Sequence, residues 1–139
     1  MFRYNRSIDL LSGYWQIGMT ERAKARSAFC TRRGLFQFLR MPFGLTRAPA
    51  TFCRVMHRIL NDILYKICIC YIDDIIVYAT DNLQLVDRID HVLDKLRSNG
   101  LKVKPSKCVL FCKEIDFLGH LVNAQGIQPQ TEKLQAIQE

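Results

Sequence analysis

Two adjacent aspartates, Asp73 and Asp74, interrupt an otherwise apolar stretch, between Tyr71-Ile72 and Ile75-Ile76-Val77. Like charges this close repel unless a cation lies between them. A turn offers a plainer explanation, because aspartates bond locally to turn backbone, and for an isolated pair that explanation suffices. Asp9 changes the balance. It belongs to the apolar run Ile8–Leu11, closed by Ser12-Gly13, and it is the only acid among the first twenty residues. In a split-βαβ sheet the first strand neighbours the central hairpin, so three carboxylates would converge on one sheet edge. Such a set is the hard, all-oxygen site that Mg²⁺ takes, leaving room for waters and phosphates. Two ions about 3.5–4 Å apart stabilise both the attacking and the leaving oxygen of an in-line displacement at phosphorus. That chemistry needs little beyond positioning and charge neutralisation. The acids therefore suggest nucleotidyl transfer.

The elements that must position them follow from periodicity. Ile8–Leu11 reads as a short strand, and Tyr14–Met19 as an extended segment. Ser27–Thr31 and Leu35–Met41 read as strands joined at Arg32-Arg33-Gly34. Pro42 and Gly44 break the chain. From Ala48 the period becomes helical, with Phe52, Val55, Met56, Ile59, Leu60, Ile63 and Leu64 on one face. Arg54, His57, Arg58, Asn61 and Asp62 fall on the other, and Pro49 suits the first turn. Ile67–Ile72 and Ile75–Tyr78 read as a hairpin with Asp73-Asp74 as its turn. A second helix turns Leu85, Ile89, Val92, Leu93 and Leu96 inward and stops at Gly100. Short strands fit Leu101–Val103, Val109–Phe111 and Asp116–Val122. The expected fold is α+β: an antiparallel split-βαβ (ferredoxin-like) sheet with its helices on one face.

Composition narrows the class. A chain of 139 residues, about half apolar, suits one compact domain. No apolar run approaches the roughly 20 residues that span a bilayer, and the first six residues lack a signal-peptide h-region. No membrane association is expected, and an intracellular rather than secreted protein is. The six cysteines include no Cys-x-x-Cys pair, and His57, His91 and His120 are scattered, so reduced thiols are expected. Residues 1–40 hold eight Lys/Arg and two acids, a net of +6, whereas residues 41–139 hold twelve and eleven, a net of +1. The excess lies mostly in Arg22, Lys24, Arg26, Arg32, Arg33 and Arg40. It suits either a phosphate backbone or a solvated basic face.

Taken together, the motifs resemble the reverse transcriptases of gypsy-type LTR retrotransposons. Ile8-Asp9-Leu10-Leu11-Ser12-Gly13-Tyr14-Trp15-Gln16-Ile17 resembles the first catalytic motif of that family. Ser27-Ala28-Phe29 and Phe38-Leu39 are similar to the strands that follow it. Met41-Pro42-Phe43-Gly44-Leu45-Thr46-Arg47-Ala48-Pro49-Ala50-Thr51-Phe52 resembles its template- and nucleotide-contacting turn and helix. Tyr71-Ile72-Asp73-Asp74 matches the polymerase signature. Gly100-Leu101-Lys102 with Pro105, Lys107 and Cys108 resembles the next motif, and Phe117-Leu118-Gly119-His120 the primer-gripping hairpin. The likeness runs over residues 6–138. Departures fall at Trp15 (commonly His), Cys30 (Arg), Arg33 (an aromatic) and Arg47 (Asn), and none removes a proposed metal ligand.

The resemblance implies a polymerase palm with a partial fingers hairpin across residues 1–139. Fingers would precede it, and thumb, connection and ribonuclease H regions would follow. It implies RNA-directed DNA synthesis with two Mg²⁺ (or Mn²⁺), held by Asp9 and Asp73 with Asp74 and the Leu10 carbonyl. Partners would be an RNA or DNA template-primer, dNTPs and the remaining polyprotein domains. Tyr14 would lie under the sugar and exclude a 2′-OH. Phe43, Gly44 and Lys107 would contact the nucleotide, and Phe117, Leu118, Gly119 and His120 the primer. The chain alone is expected to polymerise poorly, since it lacks the triphosphate clamp and the thumb. An inactive retroelement remnant is a second reading. A plain nucleic-acid-binding module is a third, disfavoured because Asp73-Asp74 would repel phosphates. A nuclear element, a cytoplasmic particle and a mitochondrial insertion all fit.

Overall fold

The computed structural model describes residues 4–112, 114–117, 120–123 and 125–129. Strand β1 (Tyr4–Asp9) opens the chain, and Gly13–Gln16 then forms a single 3₁₀ turn. The segment expected to be extended at Tyr14–Met19 is therefore curled at its start. A short helix α1 (Glu21–Arg26) follows, which the sequence reading did not anticipate. The Thr20 hydroxyl caps it, accepting from the Ala23 N–H. The hairpin β2 (Phe29–Thr31) and β3 (Gly34–Phe36) turns at Arg32-Arg33 as expected, with shorter strands.

Helix α2 (Ala48–Leu60) carries Pro49 in its first turn and buries Phe52, Met56 and Leu60, but it ends before Ile63 and Leu64, which the periodicity placed on the same face and which the structure buries beyond the helix. Strands β4 (Cys68–Tyr71) and β5 (Asp74–Ala79) form the central hairpin. Helix α3 (Asn82–Ser98) is capped by the Asp81 carboxylate, which accepts from the Gln84 N–H at 2.8 Å, and it ends before Gly100, whose φ is +71°. Leu101–Val103 forms no strand. Its pairing is one bridge from Val103 to Leu10. Strands β6 (Val109–Cys112), β7 (Ile115–Phe117), β8 (His120–Asn123) and β9 (Gly126–Pro129) are the last elements of the described residues. Asp116–Val122, read as one strand, is thus two paired strands, with Phe117 opposite His120. Leu118 and Gly119 of the expected primer grip lie outside the described residues.

The main sheet has the order β4-β5-β1-β6, with antiparallel pairing throughout. The first strand therefore sits between β5 and β6, as in a split-βαβ fold. Strands β2 and β3 form a separate two-stranded ribbon, and β7-β8-β9 a separate three-stranded sheet. One face of the main sheet, with Ile8, Cys68, Cys70, Ile75, Val77 and Ala79, packs into a single core against Phe52, Met56 and Leu60 of α2 and Leu85, Ile89, Val92 and Leu96 of α3. The expected α+β architecture with helices on one face is what the chain adopts. No helix among the described residues is long and apolar enough to cross a membrane.

Candidate active site

The period of two along the strands decides where the aspartates point. Ile8 pairs with Ile75, and both side chains enter the core; their neighbours Asp9 and Asp74 also pair, and so share the opposite face. Tyr71 pairs with Asp74 and lies on that same helix-free face, half exposed. A buried isoleucine one residue away on each strand fixes this alternation, because a register slip would drive both carboxylates into the core.

Asp73 arrives differently. It was expected to share the hairpin turn with Asp74, but the turn is Ile72-Asp73, and Asp74 already opens β5 opposite Tyr71. Ile72 has φ +50°, a conformation that β-branched residues strongly avoid. Positive φ at the first central residue is the pattern of a type II′ turn, whose twist suits a tight hairpin. The surrounding structure holds this strained residue in place. The Asp73 carbonyl accepts from the Leu10 N–H at 3.1 Å, and the Ile72 carbonyl from the Cys70 thiol at 3.6 Å. The first of these bonds ties the turn directly to the residue after Asp9.

The Asp73 carboxylate reaches inward. Its Oδ1 is buried and, among the described residues, has no hydrogen-bond partner. It lies over the Cα of Gly13, where a Cβ would collide with it and would also come within 2.7 Å of Phe52 Cζ. Burial first, then the Asp9 and Asp74 charges, raises the pKa of Asp73 above the usual carboxylate range, while Lys107 opposes this. Burial and Asp9 raise Asp74 in the same way. The three acids therefore feel one another at one end of the sheet. They do not all converge as placed: among the described residues no group of three His, Cys, Asp or Glu side chains is close enough to hold an ion. The reasons are visible. Asp9 Oδ2 faces the Lys107 ammonium at 3.4 Å, and Asp73 Oδ1 is turned toward Gly13.

The donor set still fits a hard divalent cation: it is wholly carboxylate, and it includes a desolvated oxygen with no hydrogen-bond partner among the described residues. Leu10 is fixed in the core, and its backbone is held by Asp73.

Tyr14 lies beside this site, in the core, with only 9% of its surface exposed. Its ring centroid is 5.0 Å from that of Phe43 and 5.4 Å from that of Phe52. Burial, followed by the Asp73 charge, raises its pKa. Phe43 and Gly44 are exposed, and Gly44 has φ +88°. Lys107 is brought to the site, whereas Phe117 and His120 belong to the separate β7-β8-β9 sheet. Of the basic residues that carry most of the excess charge, Arg22, Arg26, Arg32, Arg33 and Arg40 are exposed and Lys24 is partly covered. Cys30, Cys53, Cys68, Cys70 and Cys108 are free thiols, as expected, and burial pushes Cys70 up to about 12.

Sequence reasoning gave Gln16 no role of its own. Its amide joins three backbone groups of segments 86 residues apart in sequence. Nothing local marks such a residue, since a Gln beside a turn is ordinary.

Residues 3–122 match the family described as reverse transcriptase (RNA-dependent DNA polymerase). The chain is 44% identical over 135 residues to the retrovirus-related Pol polyprotein from transposon 297 of Drosophila melanogaster, covering 97% of this chain and 13% of that protein. It is 34% identical over 137 residues to that of transposon gypsy, also from Drosophila melanogaster, covering 99% of this chain and again 13% of the relative. Among solved structures, the foamy viral protease-reverse transcriptase in complex with RNA/DNA hybrid superposes with a TM-score of 0.87 at 26% identity, over 99% of this chain and 18% of that one. The same protein in complex with dsDNA gives a TM-score of 0.85 at 26% identity, over 99% of this chain and 28% of that one. The chain thus spans only a small part of the relatives it matches.

Proposed function

Because this chain belongs to the reverse transcriptase (RNA-dependent DNA polymerase) family, we propose that it is the catalytic palm, with part of the fingers, of a retrotransposon Pol polyprotein that adds dNTPs to a primer 3′-OH on an RNA or DNA template. The observation that carries this reading is the buried Asp73 oxygen, without a hydrogen-bond partner among the described residues, beside two further carboxylates at strand ends. Asp9 and Asp73 would hold two Mg²⁺ (or Mn²⁺), with Asp74 and the Leu10 carbonyl assisting. Such ions would neutralise charge on the oxygens of the transferring phosphate and favour the 3′-oxygen as nucleophile.

The protein's own part is positioning. The Leu10–Asp73 backbone bond fixes the two main acids relative to each other. Tyr14, braced by Phe43 and Phe52, would stand beneath the sugar as a rigid wall against a 2′-OH. Phe43 and Gly44 would flank the incoming base, and Lys107 the triphosphate. The helix-free face with Tyr71 would carry the primer end, gripped by Phe117, Leu118, Gly119 and His120. The exposed arginines of α1 and the β2–β3 turn would follow the template backbone electrostatically.

Primer extension by the reverse transcriptase that contains this chain, with Mg²⁺ and dNTPs on an RNA template, tests the reading. Asp73→Asn is expected to lower the rate by more than about a hundredfold, beyond the 10–100-fold typical of an outer-sphere partner. Unchanged extension would overturn the assignment.

A further inference from the structure

We propose that Gln16 is a positioning residue that holds the Lys107 ammonium on the Asp9 carboxylate, so that a divalent cation loads against a resident positive charge. This rests on the metal reading above and goes beyond it. The main sheet has a gap beside the end of β1. Residues 101–107 form no strand, yet they must lie beside the end of β1. Backbone pairing supplies the Leu10–Val103 bridge, a bond from the Leu11 N–H to the Lys102 carbonyl at 3.0 Å, and one from the Lys104 N–H to the Asp9 carbonyl at 2.8 Å.

Gln16 completes this seam from the side. Its Nε2 donates to the Leu11 carbonyl at 2.7 Å and to the Lys102 carbonyl at 2.9 Å, and its Oε1 accepts from the Lys102 N–H at 2.6 Å. One primary amide thus does the work of a missing ladder rung on both of its polar atoms. Gln16 is itself held, since its carbonyl accepts from Arg40 Nη1 at 3.0 Å and its residue closes the 3₁₀ turn. Beyond Lys102 the chain enters the 3₁₀ turn Pro105–Lys107, which sets Lys107 Nζ 3.4 Å from Asp9 Oδ2.

A long lysine side chain that is more than half exposed forms only a weak ion pair with a carboxylate when its backbone is free to move. Here the backbone is clamped, so the ammonium stays near. Its charge also reaches the other two acids, opposing the rise in pKa of both Asp73 and Asp74. An ammonium and a metal ion compete for the same Asp9 oxygen. The device keeps three carboxylates tolerable at one end of the sheet and sets how tightly an ion is taken.

The experiment is a Mn²⁺ titration of the full chain, reading free Mn²⁺ by electron paramagnetic resonance. Lys107→Met is expected to bind Mn²⁺ about three- to tenfold more tightly than the wild type, the size of one partly screened charge. Lys107→Arg should stay near the wild type. Gln16→Leu should give most of the same gain, and adding it to Lys107→Met should give none. Unchanged or weaker binding by Lys107→Met overturns the proposal. So does a Gln16→Leu effect that persists in the Lys107→Met background, because Gln16 would then act on the acids by another route. If Gln16→Leu fails to fold, Gln16→Met, which keeps the length of the side chain and removes its amide, is read in its place with the same two outcomes. Identical titrations of wild type and Asp73→Asn would instead refute the metal reading itself, and this inference with it.

Discussion

The four-stranded sheet and the β2–β3 hairpin are built from similar residues and behave oppositely. In β4 burial alternates, because α2 and α3 cover one face, while from Ile75 to Ala79 the central strand β5 is buried throughout. Every residue of β2 and β3 is exposed. A lone two-stranded hairpin is marginal in water. This one is joined to the body by a run of aromatic contacts, from Phe29 to Phe38, Phe38 to Trp15, Trp15 to Phe43, Phe43 to Tyr14 and Tyr14 to Phe52. The sheet therefore makes geometry, and the hairpin presents exposed rings and arginines. Precision resides where the core over-determines the backbone, and electrostatic attraction where it does not.

That contrast breaks most easily at Gly13. Its Cα lies under Asp73 Oδ1 and Phe52, so the demand is for absent volume rather than for an unusual φ. Gly13→Ala is expected to cost about 1–3 kcal/mol by overpacking, and to displace the Asp73 carboxylate. Urea denaturation measures the first effect and Mn²⁺ affinity the second. Wild-type values for both would mean that the site is looser than the sheet that carries it.

A smaller and opposite effect is expected at Asp73. Its raised pKa means that the folded chain binds more protons than the unfolded one between the ordinary carboxylate range and that raised value. Stability therefore falls as pH rises through this window and stays at the lower level above it. Asp73→Asn removes the buried charge, so the variant should melt above the wild type at neutral pH. The advantage should vanish below about pH 4, where the aspartate is neutral in both states. A melting difference that does not change with pH would contradict this account. A site that gains stability when its chemistry is removed is one arranged for function at a cost to the fold.

The smallest effect belongs to the hairpin. Leu35 is 70% exposed, and Leu35→Ala should change stability by no more than about 0.5 kcal/mol. A loss above about 1 kcal/mol would show that the hairpin is part of the cooperative unit and would erase the contrast.

The sequence by itself determined the two long helices, the central strands and the identity of the three acids. Periodicity is a local signal, and the apolar faces of Ala48–Leu60 and Asn82–Ser98 each repeat long enough to be read. The family-like motifs named Asp9, Asp73 and Asp74 before any contact was known. Short elements were less legible. The 3₁₀ turn at Gly13–Gln16, the helix Glu21–Arg26 and the strandless Leu101–Val103 are too brief for propensity to outweigh tertiary context. Only the tertiary structure decided that Asp73 occupies the turn while Asp74 begins a strand, that one Asp73 oxygen is buried against a glycine, and that Gln16 and Lys107 reach the end of β1 from opposite ends of the chain. The physical reason is sequence separation: hydrogen bonds and charge contacts between residues about 60–100 positions apart leave no periodic trace in either segment, and they exist only once the sheet has closed.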